Sequence, residues 1–386
     1  MNIVLFDNKH RKQLFPFTET RAVAEIRSGI LTNKERWDYI SGTEVSILTE
    51  DYLQPLYNDY TTGDILLIDA SVIFTEEQAK KILQIPKGYY VAYNKGFIAG
   101  RFETAEQFNF EALSNLSFDE LINWKEEVVR LDHPWQIFQL NETFIKQDFA
   151  MITEGRQSAA IDASNTVINP QNIFVEEGAS ITCSVLNATN GPIYIGKNAT
   201  IQEGCLIRGA FVLGDNSLLK MGTKIYGATT LGNNCVGGGE IKNVVIFGNS
   251  NKAHDGYLGD SVIGEWCNLG AATNNSNVKN TAGIVNVYSS ITKDYVAVAQ
   301  KCGMLMGDYT RTAIGTTINT GSVYGVCCNV FGQGLMPKYL PNFTWGLNDT
   351  YKIEKAVEDI NNWKKMKQNL IEENEANMLR YLTENI

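Results

Sequence analysis

The sequence predicts an α/β domain over residues 1–150, a parallel β-helix over 151–345 and a helical tail over 346–386. Three features support this prediction. Apolar runs alternate with helix-like stretches in the first part, which is typical of a partly parallel sheet. A six-residue repeat follows, and residues 349–385 of the last part are charged, periodic and free of glycine and proline.

The first part reads as strands separated by helical segments. Its apolar runs are NIVLF, EVSIL and DILLIDASVIF, and residues 104–128 have a helix-like pattern. A linker from about residue 131 to 150 leads into the β-helix. Residues 349–385 are expected to form a helix that packs against the β-helix or a neighbouring subunit.

The middle part carries aliphatic residues at every sixth position. They are Ile195, Ile201, Ile207, Leu213, Leu219, Ile225 and Leu231. Most positions four residues later are small, and the phase returns at Ile263 and Leu269. Neither a helix nor a single strand produces a period of six, whereas a β-helix does, with three hexads to each coil. The aliphatic residue is then expected to point inward and the small one to fill the corner.

Composition excludes several function classes. The chain has 386 residues and a formal net charge of −10, which argues against nucleic acid or an anionic membrane as partner. No run of 18 apolar residues is present, and the N-terminus does not resemble a signal peptide, so we expect a cytoplasmic protein.

Three of the seven cysteines, Cys205, Cys235 and Cys267, occupy the small-residue position and are expected to be buried thiols. Cys327-Cys328 falls outside the register.

One of only three histidines, His254, lies where the repeat breaks. The hexads stop after Leu231 and resume at Ile263, and the run SNKAHDGYLGD lies between them. A lone histidine in a loop is often satisfied by a backbone carbonyl. Interruptions of a solenoid, however, are where function concentrates, so His254 is a candidate functional residue.

The hexads resemble those of the hexapeptide-repeat acyltransferases, and residues 240–277 resemble the acetyltransferase domain of the bifunctional GlmU family. The motifs are EIKN at 240–243, SNKAHDGYLGD at 250–260 and IGEWCNLGA at 263–271. The resemblance implies a left-handed β-helix, a homotrimer, and acetyl transfer from acetyl-CoA to glucosamine-1-phosphate.

The same resemblance implies roles for individual residues. His254 matches the general base, a role for which imidazole is suited. Lys242 and Tyr257 match residues that hold the sugar phosphate, and Asn268 and Asn277 match asparagines that bind the sugar. Lys224 matches a phosphate-site cation only approximately and is equally well a solvated corner lysine. Arg311, in the coils expected to receive the coenzyme, is a candidate for a coenzyme phosphate.

The N-terminal part resembles sugar nucleotidyltransferases of an alternative, shortened GlmU-like type, although DNKHR replaces the Gly-rich run. The carrying motif is LFPFT, followed by TRAVAEIRSGILT. The resemblance implies a Rossmann-like domain that transfers uridylyl from UTP to N-acetylglucosamine-1-phosphate with Mg²⁺. Candidates for the phosphates are Arg11, Arg21, Arg27 and Lys34, and Asp69 is the candidate Mg²⁺ ligand. Each is equally explained as a solvated side chain or a strand cap.

Two alternatives stay open. In the first, the chain is a nucleotidyltransferase for another sugar-1-phosphate, and its β-helix is structural. In the second, it is a non-catalytic subunit that binds a sugar nucleotide. The Lys242–His254–Tyr257 set argues against a purely structural β-helix. The missing Gly-rich run favours the non-catalytic reading for the N-terminal part only.

Overall fold

The computed structural model describes residues 1–58, 62–107 and 109–385. Its N-terminal part is an α/β domain. The strands are β1 (Asn2–Phe6), β2 (Ser46–Leu48), β3 (Gly63–Asp69), β4 (Val72–Ile73), β5 (Tyr89–Tyr93), β6 (Gly96–Thr104), β7 (Glu120–Asn123) and β8 (Val129–Arg130). The helices are α1 (Asn33–Ser41), α2 (Glu76–Ile82), α3 (Gln136–Gln139) and α4 (Asn141–Thr153).

The main sheet of this domain has the order β2-β1-β3-β6-β5-β7. Strand β1 is parallel to β2 and β3, whereas β6 is antiparallel to β3 and β5. The expected partly parallel sheet is therefore confirmed. Helix α1 begins where Thr32 and Glu35 form a capping box, and it ends at Gly42, whose positive φ reverses the chain.

One element differs from the prediction. The described residues of 104–128 contain a short 3₁₀ turn at Glu111–Asn115 and strand β7, where the pattern had predicted a helix. Strand β7 pairs in parallel with β5, so its backbone groups find partners at the sheet edge. This tertiary pairing outweighs the local helix preference.

The part of the chain from 166 to 350 contains the predicted parallel β-helix of about ten coils and an antiparallel hairpin at 285–299. Its strands are β9 (Thr166–Ile168), β10 (Ile173–Val175), β11 (Ser180–Ile181), β12 (Val185–Asn187), β13 (Ile193–Ile195), β14 (Thr200–Ile201), β15 (Leu206–Arg208), β16 (Phe211–Leu213), β17 (Leu218–Leu219), β18 (Lys224–Tyr226), β19 (Thr229–Leu231), β20 (Val236–Gly237), β21 (Glu240–Ile246), β22 (Asn251–Lys252), β23 (Tyr257–Ile263), β24 (Asn268–Leu269), β25 (Asn274–Asn275), β26 (Val285–Ser289), β27 (Asp294–Ala299), β28 (Met304–Met306), β29 (Arg311–Thr312), β30 (Thr317–Ile318), β31 (Ser322–Tyr324), β32 (Asn329–Val330), β33 (Tyr339–Leu340), β34 (Thr344–Trp345) and β35 (Asp349–Thr350).

The coils present three faces. Face one contains β10, β13, β16, β19, the ends of β21 and β23, β28, β31 and β33. Face two contains β11, β14, β17, β20, β22, β24, β29, β32 and β34. Face three contains β9, β12, β15, β18 and the beginnings of β21 and β23, and β25 and β30 follow them.

The hexads behave as predicted. The seven aliphatic residues from Ile195 to Leu231 lie one to a strand in β13–β19, and each is at most 2% exposed. Cys205, Cys235 and Cys267 are buried, and burial raises the pKa of each thiol, that of Cys235 to about 11. Cys328 proves to occupy the same slot. Its N–H donates to Thr310 Oγ1 at 3.0 Å, as the Cys267 N–H donates to a serine one coil earlier.

The break in the hexad register is a shortening of the coil. Leu213 pairs with Leu231, 18 residues on, whereas Leu231 pairs with Ile246, only 15 residues on. Strand β21 runs continuously from face three to face one, with the left-handed residue Asn243 at the corner between them. The β-helix therefore continues through the region that the sequence pattern marked as an interruption.

The N-terminal domain packs on face one. Val245, Val262 and Leu305 of the β-helix belong to the same buried cluster as the domain core. The Phe17 and Phe247 rings are 5.3 Å apart, and Thr20 Oγ1 donates to Asp308 at 2.6 Å. Face three, by contrast, keeps apolar side chains exposed.

The C-terminal tail consists of two helices, α5 (Ile353–Met366) and α6 (Glu373–Glu384), and it packs on the β-helix as expected. Lys367 Nζ donates to the carbonyl oxygens of Asn234 and Asn249, at the corner between faces one and two. The Tyr381 ring stacks on Tyr52, with centroids 4.5 Å apart. The tail thus also contacts the N-terminal domain.

Candidate active site

Lys242 and Tyr257 meet on face three because β21 and β23 are adjacent there. Glu240 pairs with Tyr257, and Lys242 pairs with Gly259. A Cβ atom on Gly259 would collide with the Tyr257 hydroxyl. The tyrosine side chain therefore lies over the glycine, beside the position from which Lys242 extends.

Asp260 links these residues. Its carboxylate is 3.9 Å from Lys242 Nζ and accepts a hydrogen bond from Asn243 Nδ2 at 2.7 Å. Asn277 Nδ2 donates both to this carboxylate and, at 3.0 Å, to the Tyr257 hydroxyl. Burial and then Asp260 raise the pKa of Tyr257, so the phenol keeps its proton and can donate to an anion.

Asp260 was not among the candidates that the sequence suggested. It lies within the YLGD run and has a positive φ of 47°, as does Asn243 (54°) one coil earlier. An aspartate at a left-handed corner where asparagine or glycine is usual is the signal that could have found it.

His254 is exposed at the corner between faces two and three, three residues before Tyr257. Lys252 lies beneath it with only 2% exposure. Lys252 Nζ donates to the carbonyl oxygens of Gly238 (3.1 Å) and His254 (2.5 Å). Burial lowers the Lys252 pKa to about 8, and Asp255 partly opposes this effect. A buried amine therefore supports the backbone that carries the histidine.

Asn268 and Arg311 lie on face two, away from the Lys242 cluster. They pair in adjacent coils, and Asn251 Nδ2 donates weakly to Asn268 Oδ1 at 3.4 Å. Arg311 is 7% exposed under the Trp363 ring, 5.5 Å from its centroid, and two of its nitrogens have no hydrogen-bond partner among the described residues. Burial lowers the Arg311 pKa. Within one chain, then, the structure unites Lys242, Tyr257 and Asn277 but not these two residues.

A groove of about 500 Å³ continues along face three below this cluster. Lys224, Tyr226, Glu240 and Arg208 line it, and the Tyr226 hydroxyl donates to Glu240 at 2.5 Å. Lys224 is exposed there, in the strand adjacent to Glu240. Arg208, which did not stand out in the sequence, adds a second cation to the groove.

In the N-terminal domain, each cation predicted to bind phosphate has a carboxylate partner. Arg11 pairs with Asp7 and Glu50, Arg21 with Asp308 and Glu265, Arg27 with Glu35, and Lys34 with Asp38. Burial lowers the pKa of Arg21, but Asp308 and Glu265 outweigh it and keep that pKa above its usual value. Arg21 therefore acts as a contact between the domain and the β-helix, and phosphate binding by these four residues stays a prediction.

The Asp69 carboxylate also already has hydrogen-bond and ion-pair partners. It accepts hydrogen bonds from Asn8 Nδ2 (2.9 Å), Ser71 N–H (2.9 Å) and Ser71 Oγ (2.7 Å), and it pairs with Arg130 at 3.1 Å. No group of three or more His, Cys, Asp or Glu side chains is placed to hold a metal in the described part of the chain. The residues around Asp69 do not fit Mg²⁺ in this arrangement.

The chain is similar to known proteins in two ways. A family model described as sugar nucleotidyl transferase matches residues 3–157. The bifunctional protein GlmU of Methanocaldococcus jannaschii is 30% identical over 118 residues, which cover 31% of this chain and 28% of that protein. The GlmU protein of Methanococcus maripaludis strain C5 is 28% identical over 216 residues, 51% of this chain and 43% of that one.

The N-terminal part is thus similar to sugar nucleotidyl transferases, and parts of the chain are similar to archaeal GlmU proteins. The family match supports the transferase activity that the sequence predicted. The chain spans less than half the length of these curated relatives.

The chain also aligns with solved structures, at low identity. The polysialic acid O-acetyltransferase OatWY aligns with 47% of this chain and 82% of its own at 18% identity and a TM-score of 0.23. The H141N mutant of perosamine N-acetyltransferase from Caulobacter crescentus aligns with 89% of this chain and 92% of its own at 10% identity and a TM-score of 0.17. Scores this low do not bear on the function. No helix in the described residues is long and apolar enough to cross a membrane.

Proposed function

We propose that the β-helix transfers an acetyl group from acetyl-CoA to the amine of glucosamine-1-phosphate. The single observation that carries this proposal is the cluster of Lys242, Tyr257 and Asn277 around Asp260. Tyr257 of this cluster follows the exposed His254 by three residues. We further propose that the N-terminal domain joins the product to uridylate from UTP, giving UDP-N-acetylglucosamine and pyrophosphate.

His254 acts as the general base of acetyl transfer. The sugar amine attacks the thioester carbonyl carbon while its proton passes to the imidazole. The tetrahedral intermediate then collapses, the C–S bond breaks, and the imidazolium returns the proton to the coenzyme sulfur. A positioned base of this kind contributes about 10²–10⁴ in rate.

The Lys242 cluster binds the sugar phosphate. The Lys242 ammonium supplies a charge-assisted hydrogen bond, and the protonated Tyr257 phenol supplies a second donor. Asn277 and Asp260 fix the phenol in place. Lys224 and Arg208 in the adjoining groove extend the positive surface along which the substrate approaches.

Asn268 and Arg311 serve a site that needs more than one copy of the chain. They lie on a different face from Lys242, so a homotrimer would bring the second face of one protomer to the third face of its neighbour. Exposed Ile168 (43%) and Leu206 (52%) on face three support such a contact. In this proposal Arg311 turns from Trp363 toward a phosphate of the coenzyme, and Asn268 orients the acceptor sugar.

The nucleotidyl half rests on the family match over residues 3–157. A phosphate oxygen of the sugar attacks the α-phosphorus of UTP, and the bond to pyrophosphate breaks. The ion-paired arginines, together with Asp69 in its ion pair with Arg130, favour a second candidate for this domain, which is binding of a sugar nucleotide without catalysis.

The seven cysteines are free thiols, which supports a reducing, cytoplasmic setting.

The test is a substrate survey on the full chain. Glucosamine-1-phosphate, glucosamine-6-phosphate and free glucosamine are supplied with acetyl-CoA while free thiol is followed. N-acetylglucosamine-1-phosphate is supplied with UTP and MgCl₂ while pyrophosphate is followed. We expect thiol release with the 1-phosphate only. Thiol release without pyrophosphate would assign the N-terminal domain to the binding role, and no thiol release with any amine would contradict acetyl transfer.

A further inference from the structure

The hairpin β26–β27 interrupts the β-helix and enters the N-terminal domain. Val285 and Val287 are fully buried and belong to that domain's hydrophobic core. Ser290 Oγ donates to the Lys12 carbonyl at 3.1 Å. No hexad accounts for this segment, so its place in the fold calls for a separate explanation.

A pocket of about 390 Å³ lies between this hairpin and the N-terminal domain. Its walls include Phe15, His133 and Trp135 from the domain and Tyr288 and Ile291 from the hairpin. The His133 and Trp135 rings are stacked, with centroids 4.6 Å apart and an interplanar angle of 12°. Flat aromatic walls in a largely apolar pocket suit a planar ring such as a nucleobase.

The pocket adjoins the loop that follows β1. Strand β1 lies between its parallel neighbours β2 and β3, so the chain crosses from one side of β1 to the other, and the crevice at the carboxyl end of such a strand is where α/β sheets bind ligands. Gln13 lines the pocket, and its Nε2 is 3.1 Å from His10 Nδ1. Lys9, His10 and Lys12 are exposed on this loop, in contrast to the ion-paired Arg11. The loop that borders the pocket therefore carries exposed basic side chains, while the pocket walls include aromatic rings.

We propose that this pocket holds the base and ribose of a nucleoside triphosphate, with the triphosphate on Lys9 and Lys12. The β-helix hairpin then supplies one wall of the site that serves the N-terminal domain. This inference rests on the nucleotidyl part of the proposed function. It adds an interdomain location and a set of residues distinct from Arg11, Arg21, Arg27 and Lys34.

The experiment is calorimetric titration of the full chain with UTP and, separately, with inorganic triphosphate. Ile291→Asp changes a residue that is 54% exposed, so folding is preserved, and it places a carboxylate in the pocket. We expect UTP affinity to fall at least about tenfold. Ile284→Asp, at 48% exposure just before β26 and outside the pocket lining, is the matched control and should bind UTP as the parent does.

The Trp135→Ala variant distinguishes binding of the nucleobase from binding of the triphosphate. Loss of a stacking ring should weaken UTP about tenfold or more and leave inorganic triphosphate within about twofold. If the parent binds UTP and neither Ile291→Asp nor Trp135→Ala changes the affinity, the pocket assignment is wrong while nucleotide binding stands. If the parent binds no UTP, the nucleotidyl proposal fails, and this inference fails with it.

Discussion

At the residue scale, the acetyl-transfer proposal depends on a lysine that is free to meet a phosphate. Lys242 qualifies, because its nearest carboxylate is 3.9 Å away and a quarter of its side chain is exposed. The N-terminal arginines do not share this freedom, since their carboxylate partners are closer and they are largely buried. A charge that already has a buried partner must lose that pairing before it can bind a ligand, and this loss is costly.

Lys242→Met is expected to raise the KM for glucosamine-1-phosphate about 10–100-fold with kcat within a few fold. The reason is the loss of one charge-assisted hydrogen bond, worth about 1.5–3 kcal/mol. Steady-state thiol release measures both constants. Lys197→Met, at an exposed corner of the same β-helix, is the control. A fall in kcat with unchanged KM would place Lys242 outside the phosphate site.

Lys252 makes stability depend on pH. Its pKa is about 8 in the folded chain against 10.5 when unfolded, so between these values only the unfolded chain keeps the proton. Stability should therefore rise with pH from about 8 to 10.5, and the full penalty applies below pH 8. Thermal unfolding of the parent and of Lys252→Met across this range should show the rise in the parent and a smaller one in the variant. Parallel curves would show that Lys252 is not the titrating group.

At the element scale, the six-residue repeat predicts the regular coils but not the segments that shorten or interrupt them. Six-residue spacing identifies β13–β19 because each hexad has one inward residue and one corner, a local rule. The shortened coil at β21, the hairpin β26–β27 and the pairing of β7 depend on distant strands, so a local pattern cannot specify them. Similarly, His254, Lys242 and Tyr257 stand out in the sequence, whereas the role of Asp260 depends on Lys242 and Asn243 of one neighbouring coil and on Asn277 of another.

Gly259→Ala tests how β21 and β23 fit together. The new methyl group would collide with the Tyr257 hydroxyl, so the phenol must leave its position against Asn277. We expect the KM for glucosamine-1-phosphate to rise about tenfold with little loss of Tm. Gly283→Ala is the control, because a methyl group there would meet only the Thr281 hydroxyl among the described residues, at an ordinary contact distance of 3.5 Å. An unchanged KM would exclude Tyr257 from substrate binding.

At the scale of the whole molecule, the buried ion pair between Arg21 and Asp308 connects the N-terminal domain to the β-helix. Arg21 reaches Asp308 and lies over the Phe247 ring, 4.9 Å from its centroid, and Thr20 donates to the same aspartate. The contact lies in the coil corners that also carry Glu265. The two domains therefore form one packed unit around face one.

Arg21→Met should destabilise the whole chain by about 3–5 kcal/mol, because Asp308 would be left buried without its charge partner. Adding Asp308→Asn should recover much of this loss, and chemical denaturation of both variants measures the coupling. If Arg21→Met leaves stability unchanged and abolishes UTP binding, Arg21 is a phosphate ligand after all.

The most direct measurement is the pair of activities in the full chain and in His254→Ala. Glucosamine-1-phosphate with acetyl-CoA is followed by free thiol, and N-acetylglucosamine-1-phosphate with UTP and MgCl₂ by pyrophosphate. We predict that thiol release falls at least about 100-fold in the variant while pyrophosphate release is unchanged. Equal thiol release from parent and variant would contradict the assignment of His254 as the base, and with it the central claim that this corner of the β-helix is an acetyl-transfer site.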